Sequence, residues 1–416
     1  MTQTSPRPSA SAASSSSGAR EPVWTERGTP AYRRMLIALF LAGFATFSLL
    51  YCVQPLLPAF SAYFKVSPAQ SSLPLSLSTG ALAIAILCAG ALAESASRRI
   101  VMGVSMVAAA LLNIAAALLP GWHGLLLART LEGFVLGGVP AVAMAYLAEE
   151  IQPRALGLAM GVYVGGTAFG GMIGRVGMSM LEEITDWRGA MIAVGVIDLL
   201  AAVGFLMLLP ASRNFVRRRG FEPRYHLDAW LAQLRQPGLN ALFLIGMTVM
   251  GSFVTLYNYT GFRLTLPPWS LNQTRIGLIF VVYLFGIVAS SMAGALADRL
   301  GRAPVLLSGM LTLFVGVALT LAHALPVIIG GIVLLTIGFF ISHAVASGWV
   351  GRLAPRAKGH ASSLYLLAYY FGSSVMGSAG GWFWAHAGWP GVVGFTLCLL
   401  CVALACGLRL ARLARA

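Results

Sequence analysis

The chain has 416 residues, 58% hydrophobic and only 10% charged, with a mean hydropathy of +0.81. A soluble domain carries roughly 25% charged residues, so so few cannot cover a water-facing surface, and lipid is the solvent to expect. The net charge of +15 would fit nucleic acid, but the Lys and Arg sit in short gaps between apolar runs, where they set membrane topology, and no basic stripe interleaved with aromatics accompanies them.

Residues 1–30 are rich in Ser, Ala and Pro, with Ser14 to Ser17 in a row. That composition buries little apolar area and predicts a disordered leader, within a tail of 1–33. It is no secretory signal, because the first apolar run begins only near Met35 and is long enough to stay in the bilayer.

A helix crossing ~30 Å of hydrocarbon needs about 20 apolar residues. Twelve such runs follow, near 34–58, 71–93, 100–119, 123–148, 155–178 and 188–210, then 239–262, 275–297, 303–322, 325–350, 358–381 and 388–410. The gaps are short and rich in Pro, Gly and charge, as in Pro120-Gly121-Trp122 and Leu266-Pro267-Pro268-Trp269. The longest internal gap, 211–238, divides the runs six and six and carries Arg213, Arg217, Arg218, Arg219, Arg224 and Arg235. Such a basic loop is expected on the cytoplasmic side, as are both ends of the chain, including 411–416. Only Lys65, Arg188, Arg263 and Arg275 then fall outside among the gap cations. All five cysteines lie inside apolar runs. Cys398-x-x-Cys401 has no polar surroundings to support a redox or metal pair, so both are expected to pack as small apolar residues. No metal site is expected.

A loop sequence recurs between the second and third runs of each half. One copy is Gly90-Ala91-Leu92-Ala93-Glu94-Ser95-Ala96-Ser97-Arg98-Arg99; the other is Gly294-Ala295-Leu296-Ala297-Asp298-Arg299-Leu300-Gly301-Arg302. Further matches share one offset of 202: Pro153-Arg154-Ala155 on Pro355-Arg356-Ala357, Tyr163 on Tyr365, Gly170 on Gly372, and Trp187 on Trp389. Two copies of one six-helix unit in the same sense place a pseudo-twofold axis along the membrane normal, with a cleft between the copies. The expected fold is all-α: twelve transmembrane helices in two pseudo-symmetric six-helix bundles, 34–210 and 239–410.

The Gly-x-Leu-Ala-Asp-Arg-x-Gly-Arg loop resembles the hallmark of the major facilitator superfamily (MFS). The second copy fits it well; in the first, Glu94, Ser95 and Ser97 depart from it. The stretches Pro140 to Ile151 and Gly170-Gly171-Met172-Ile173-Gly174-Arg175 resemble the bacterial, YnfM-type inner-membrane branch of drug and sugar efflux transporters. The resemblance implies a cytoplasmic gate at Gly90, Glu94, Arg98, Gly294, Asp298, Arg299, Gly301 and Arg302. An acid at a helix end can there hydrogen-bond to Arg groups of a neighbouring helix end and break away in the other conformation.

Four ionisable groups fall inside runs of the first half: Arg129, Glu132, Arg175 and Asp198. Each costs about 2.5–3.5 kcal/mol at a helix centre, so each should face protein or water and be paired. Arg129 and Glu132, three apart, share a helix face. Leu125-x-x-x-Arg129-x-x-Glu132-Gly133 resembles the fourth-span motif of proton-coupled antiporters. Glu132 and Asp198 both lie near the midplane, about ten residues or roughly 15 Å from the outer face at 1.5 Å per residue. Arg129, Glu132, Asp198 and Arg175 form the candidate proton-coupling set. A static Arg129–Glu132 pair, a packing role for Asp198, and an Arg175 that snorkels or meets an anion remain open. His343, the only midspan histidine, is expected to pack neutral.

The spans that line the cleft in this family supply Tyr51 and Gln54, Tyr163, Tyr257 and Asn258, and Tyr365 with Tyr369 as candidate substrate contacts. A cleft of aromatic and amide groups suits a neutral or amphipathic small molecule. No Walker-type phosphate loop occurs, and no cluster of ligand-spaced His, Asp or Glu supports a polytopic membrane enzyme. The expected function is a secondary transporter, not an enzyme: a monomer in the bacterial inner membrane that exports a small organic molecule by alternating access against proton entry. It is expected to use no cofactor beyond the proton gradient and to bind no nucleic acid. Proton-coupled uptake of a sugar or metabolite is the alternative.

Overall fold

A computed structural model describes residues 24–92, 97–214, 223–354 and 358–413, the side chains of 89–92, 141 and 223 excepted. Among the described residues the structure is helical, with one isolated backbone bridge between Thr25 and Ile151.

Twelve passes occur among these residues. The first span is Pro30–Phe64, the second Leu73–Leu92, the third Arg98–Leu118. The fourth joins Gly121–Leu136 to Pro140–Glu150; the fifth is Pro153–Ile184 and the sixth Trp187–Leu208. In the second half they are Pro237–Thr265, Gln273–Leu300, Arg302–Leu319 and Leu325–Leu353, and then the eleventh and twelfth, which lie within Lys358–Leu413 on either side of Gly388. A short helix, Pro223–Leu234, precedes the seventh span and docks on the eleventh: Trp230 Nε1 donates to Ser363 Oγ at 3.2 Å, and the His226 and His360 rings meet at 3.1 Å.

Local chemistry accounts for the breaks. Pro30, Pro140, Pro153 and Pro237 stand in first turns, where a missing N–H costs nothing. Thr29, Asp186 and Asn272 cap helix starts by accepting from backbone N–H groups. Pro140 has no N–H for the Leu136 carbonyl, so the fourth span steps there and Val139 N donates to Leu136 instead. The eleventh and twelfth spans part at Gly388, φ 57° and ψ −149°, a non-helical conformation open to glycine.

The two halves repeat at atomic detail. A Cβ on Gly170 would stand 2.1 Å from the Phe44 carbonyl oxygen in the first span. A Cβ on Gly372, its repeat partner, would stand 2.1 Å from the Met247 carbonyl oxygen in the seventh. Lipid tails are as apolar as Leu, so helices in a bilayer associate through such close backbone contact.

The halves meet at the end of the bundle remote from Pro30 and Leu413. There Ser72 and Ser378 share a hydrogen bond of 3.0 Å, Ser378 Oγ donates to Ser76 Oγ at 2.7 Å, and Ser374 Oγ donates to the Ser76 carbonyl at 2.6 Å. Asn272 Nδ2 and Thr274 N both donate to the Glu183 carboxylate at 2.7 Å, and Gln273 Nε2 donates to the Pro55 carbonyl at 2.7 Å. One apolar core runs through both halves at this end, including Leu57, Phe60, Leu256 and Phe280. At the other end of the first half, Met35, Leu39, Met102, Tyr146 and Phe205 belong to a separate core.

Candidate functional site

A buried polar cluster lies in the first half. Arg129 and Glu132 are fully buried and pair on the fourth span, Nη1 to Oε2 at 2.6 Å. Arg129 Nη1 also donates to the Leu49 carbonyl at 3.1 Å and to Asn113 Oδ1 at 3.4 Å, and Nη2 donates to the Leu50 carbonyl at 2.9 Å. The two carbonyls stand at the end of the first helix, which stops at Tyr51 before a short 3₁₀ turn, Gln54–Leu56, and that of Leu49 also accepts from Cys52 Sγ at 3.2 Å. One residue earlier on the same helix, Ser48 Oγ donates to Asp198 Oδ2 at 2.8 Å. Glu132 Oε1, Asp198 Oδ1 and Arg129 Nε are buried without a hydrogen-bond partner. Two carboxyl groups thus share one small dry region with one guanidinium.

Arg175 lies apart from this group. It does not snorkel: it is 2% exposed. Its Nε donates to Gln54 Oε1 at 2.6 Å and its Nη1 to the Gly171 carbonyl. Its guanidinium carbon lies 4.3 Å from the ring centre of Tyr51, 5.1 Å from that of Tyr283 and 5.2 Å from that of Phe280. Gln54 Nε2 donates onward to Asn258 Oδ1 at 2.7 Å, and Asn258 Nδ2 to the Gly377 carbonyl at 3.4 Å. A polar chain therefore runs from the fifth span through the first to the seventh and eleventh, crossing between halves at their closed end.

The remaining cleft residues divide. Tyr257 Oη bonds Thr336 Oγ1 at 2.7 Å and its ring stacks on Phe280. Tyr365 Oη meets His343 Nδ1 at 3.0 Å, and Tyr369 packs 4.6 Å from the His343 ring. Tyr365, Tyr369 and His343 line a narrow cleft with Gly246 and Ser342; Tyr257 stands in another, with Gln54 and Phe280. Tyr163 is buried in the first half, its hydroxyl without a partner.

At the ends that carry the repeated loop, Asp298 accepts from Arg352 of the tenth span at 3.1 Å, with Arg302 at 3.6 Å. Arg299 and Gly294 are exposed, and Gly301 turns the chain at φ 90°. In the first half Arg98 forks onto Glu149, Nη2 at 2.7 Å and Nε at 3.3 Å. Glu94 lies outside the described residues, and at Gly90 only the helical backbone is described.

Several participants escaped the reading of the sequence: Ser48, Asn113, Glu149, Tyr283 and Arg352. Asn113 and Ser48 were detectable only as lone polar residues in apolar runs. Arg352, in the repeat, falls 202 residues after Glu150, and the sign reversal hid the correspondence.

The family model described as Major Facilitator Superfamily matches residues 36–271 and 249–415. The chain belongs to the major facilitator superfamily. It is 45% identical to the MFS-type transporter YybF of Bacillus subtilis, over 92% of this chain and 94% of that one. It is 42% identical to the inner membrane transport protein YnfM of Escherichia coli, over 93% of each. A bacterial homologue of the lysosomal transporter Spinster, solved in an inward-facing and unoccupied conformation, superposes with a TM-score of 0.75 at 15% identity, over 92% of this chain and 98% of that one. The chain is therefore a multi-pass membrane transporter, rather than an enzyme, and works by alternating access between its halves.

Proposed function

We propose that this transporter exports a small organic molecule in exchange for protons, acting as a monomer in the bacterial inner membrane with both chain ends in the cytoplasm. In that orientation the closed end faces outward, and the structure is the inward-facing form. Two bodies, 34–210 and 239–410, rock about the cleft; the loop 211–238, the tail 1–33 and the end 411–416 lie at the cytoplasmic face.

The observation that carries the reading is the charge balance around Arg129. Two carboxyl groups, Glu132 and Asp198, stand against one guanidinium in a site that excludes water. An uncompensated charge there is costly, so one proton resides on the pair of acids, and the two titrate as a coupled unit. Opening to the outside supplies the proton, and it leaves toward the cytoplasm once water reaches the acids from that side. Tyr51, Gln54, Tyr163, Tyr257, Asn258, Tyr365 and Tyr369 form the cleft surface that meets the cargo. Arg175 acts through Gln54, by holding the outer closure. Asp298, with Arg299, Gly301 and Arg302 on its own loop, engages Arg352 as a cytoplasmic latch; Gly90, Glu94 and Arg98 supply the counterpart in the first half.

The test is proton flux into reconstituted vesicles driven by a panel of candidate substrates, with and without a pH gradient. Solute-dependent proton movement in the wild type, absent from Glu132→Gln, is the expected result. Solute flux that moves no protons overturns antiport.

A further inference from the structure

Resting on the transport reading above, we infer that Arg175, with the hydroxyls of Tyr51 and Tyr283, is the receptor for the carboxylate of a flat, apolar organic monoanion, and that the cargo is an aromatic carboxylate.

Arg175 has no ion pair among the described residues. An arginine that only staples helices together inside a membrane is expected to have an acid beside it. Here the cation is met by three ring faces, one amide and one carbonyl. That environment tolerates a positive charge without neutralising it. Guanidinium groups recognise carboxylates through paired N–H donors, and among the described residues no hydrogen bond occupies the second terminal nitrogen, Nη2.

A second observation stands beside the first. The hydroxyls of Tyr51 and Tyr283, whose rings flank the guanidinium, are buried; that of Tyr283 has no hydrogen-bond partner, and that of Tyr51 has only the Ser373 hydroxyl beside it. A buried hydroxyl left unpaired is unfavourable. These two hydroxyls, on the residues that cage an unpaired cation, are the donors an anion would use. The cage is made by both halves: Tyr51 from the first span and Arg175 from the fifth, Phe280 and Tyr283 from the eighth. An anion held there touches both moving bodies, which is the placement a transported ligand requires. It also lies next to the outer closure, because the Nε of the same guanidinium holds Gln54, which in turn holds Asn258.

The chemistry narrows the class. One cation without a partner acid selects a single negative charge and rejects cations. The walls are Tyr and Phe rings, which suit a planar apolar body and offer little to a polyhydroxylated sugar.

The test is equilibrium binding to the purified full chain in detergent at pH 7, followed by flux in proteoliposomes. The probes are hippurate, cinnamate and 4-hydroxybenzoate, with the neutral amide of hippurate and benzylammonium as comparisons. The carboxylates are expected to bind at least about tenfold more tightly than the amide, the worth of a hydrogen bond to a charged group. Arg175→Gln removes that preference, and Arg175→Lys restores part of it. Should Arg175→Gln fail to fold, Tyr51→Phe combined with Tyr283→Phe keeps the cation and removes both donors; carboxylate binding then weakens severalfold while amide binding does not. Equal binding of amide and carboxylate, preference for benzylammonium, or no binding of any carboxylate overturns the proposal. Hippurate that binds through Arg175 but is never transported sinks the transport reading and leaves the receptor standing. Neutral solutes that drive proton flux while no carboxylate binds sink the receptor alone.

Discussion

Glu132→Gln is the sharpest perturbation of the buried cluster. The substitution keeps the shape of the side chain and an oxygen able to accept from Arg129, but removes the charge. Arg129 is then a fully buried guanidinium whose direct partners, Leu49, Leu50, Asn113 and a glutamine oxygen, are all neutral, and the one acid left in the region, Asp198, is bonded to Ser48 instead. Breaking a buried ion pair by removing one partner costs about 3–5 kcal/mol. The retained neutral hydrogen bond offsets about 1 kcal/mol, which leaves a loss of about 2–4 kcal/mol. Pairing it with Arg129→Gln removes both charges, so the double variant loses less than the sum of the two singles, with a coupling of about 0.5–3 kcal/mol. Reversible unfolding of the purified protein in mixed micelles measures this cycle, and substrate-driven proton flux in vesicles made from the same preparations measures coupling. Additive stabilities together with proton flux at the wild-type level would refute both the neutralisation argument and the assignment of Glu132 as a proton carrier.

Three other outcomes follow from the geometry. Asp298→Asn slows transport severalfold while surface expression stays normal, because the contacts to Arg352 and Arg302 weaken; the exposed pair itself contributes only about 0–1 kcal/mol to folding, so unchanged transport, not unchanged stability, removes the latch. Gly170→Ala places a methyl group against the Phe44 carbonyl, with 2.1 Å available, and lowers stability by about 1–3 kcal/mol; Gly165→Ala, with nothing within 4 Å of its added carbon, is neutral or stabilising by up to about 1 kcal/mol, and thermal unfolding of the two reverses the argument if they match. Ser72→Cys with Ser378→Cys, built on side chains now 3.0 Å apart at the hydroxyls, forms a disulfide under mild oxidation; transport then stops and returns on reduction, whereas transport by the cross-linked protein would show that this end need not open.

Much of the architecture is local and could be read in order. Apolar run length, Pro and Gly punctuation and the placement of Arg delimit twelve passes, and the shared offset of Gly170 with Gly372 and Tyr163 with Tyr365 discloses the duplication. Spacing alone also put Arg129 and Glu132 on one face, because residues three apart on a helix are neighbours whatever surrounds them.

The rest depended on which faces meet. No periodicity places Ser48 beside Asp198, or turns the Leu49 and Leu50 carbonyls toward Arg129; those contacts join residues of the first, fourth and sixth spans after the helices pack. Arg175 is the clearest instance. Counting residues puts it close to a membrane surface, where a long side chain could reach water. Rings from the eighth span, in the other half of the chain, close over it and keep it dry. A sequence records the distance of a residue along its own helix, whereas its solvent and its partners are set by neighbours that arrive from more than a hundred residues away.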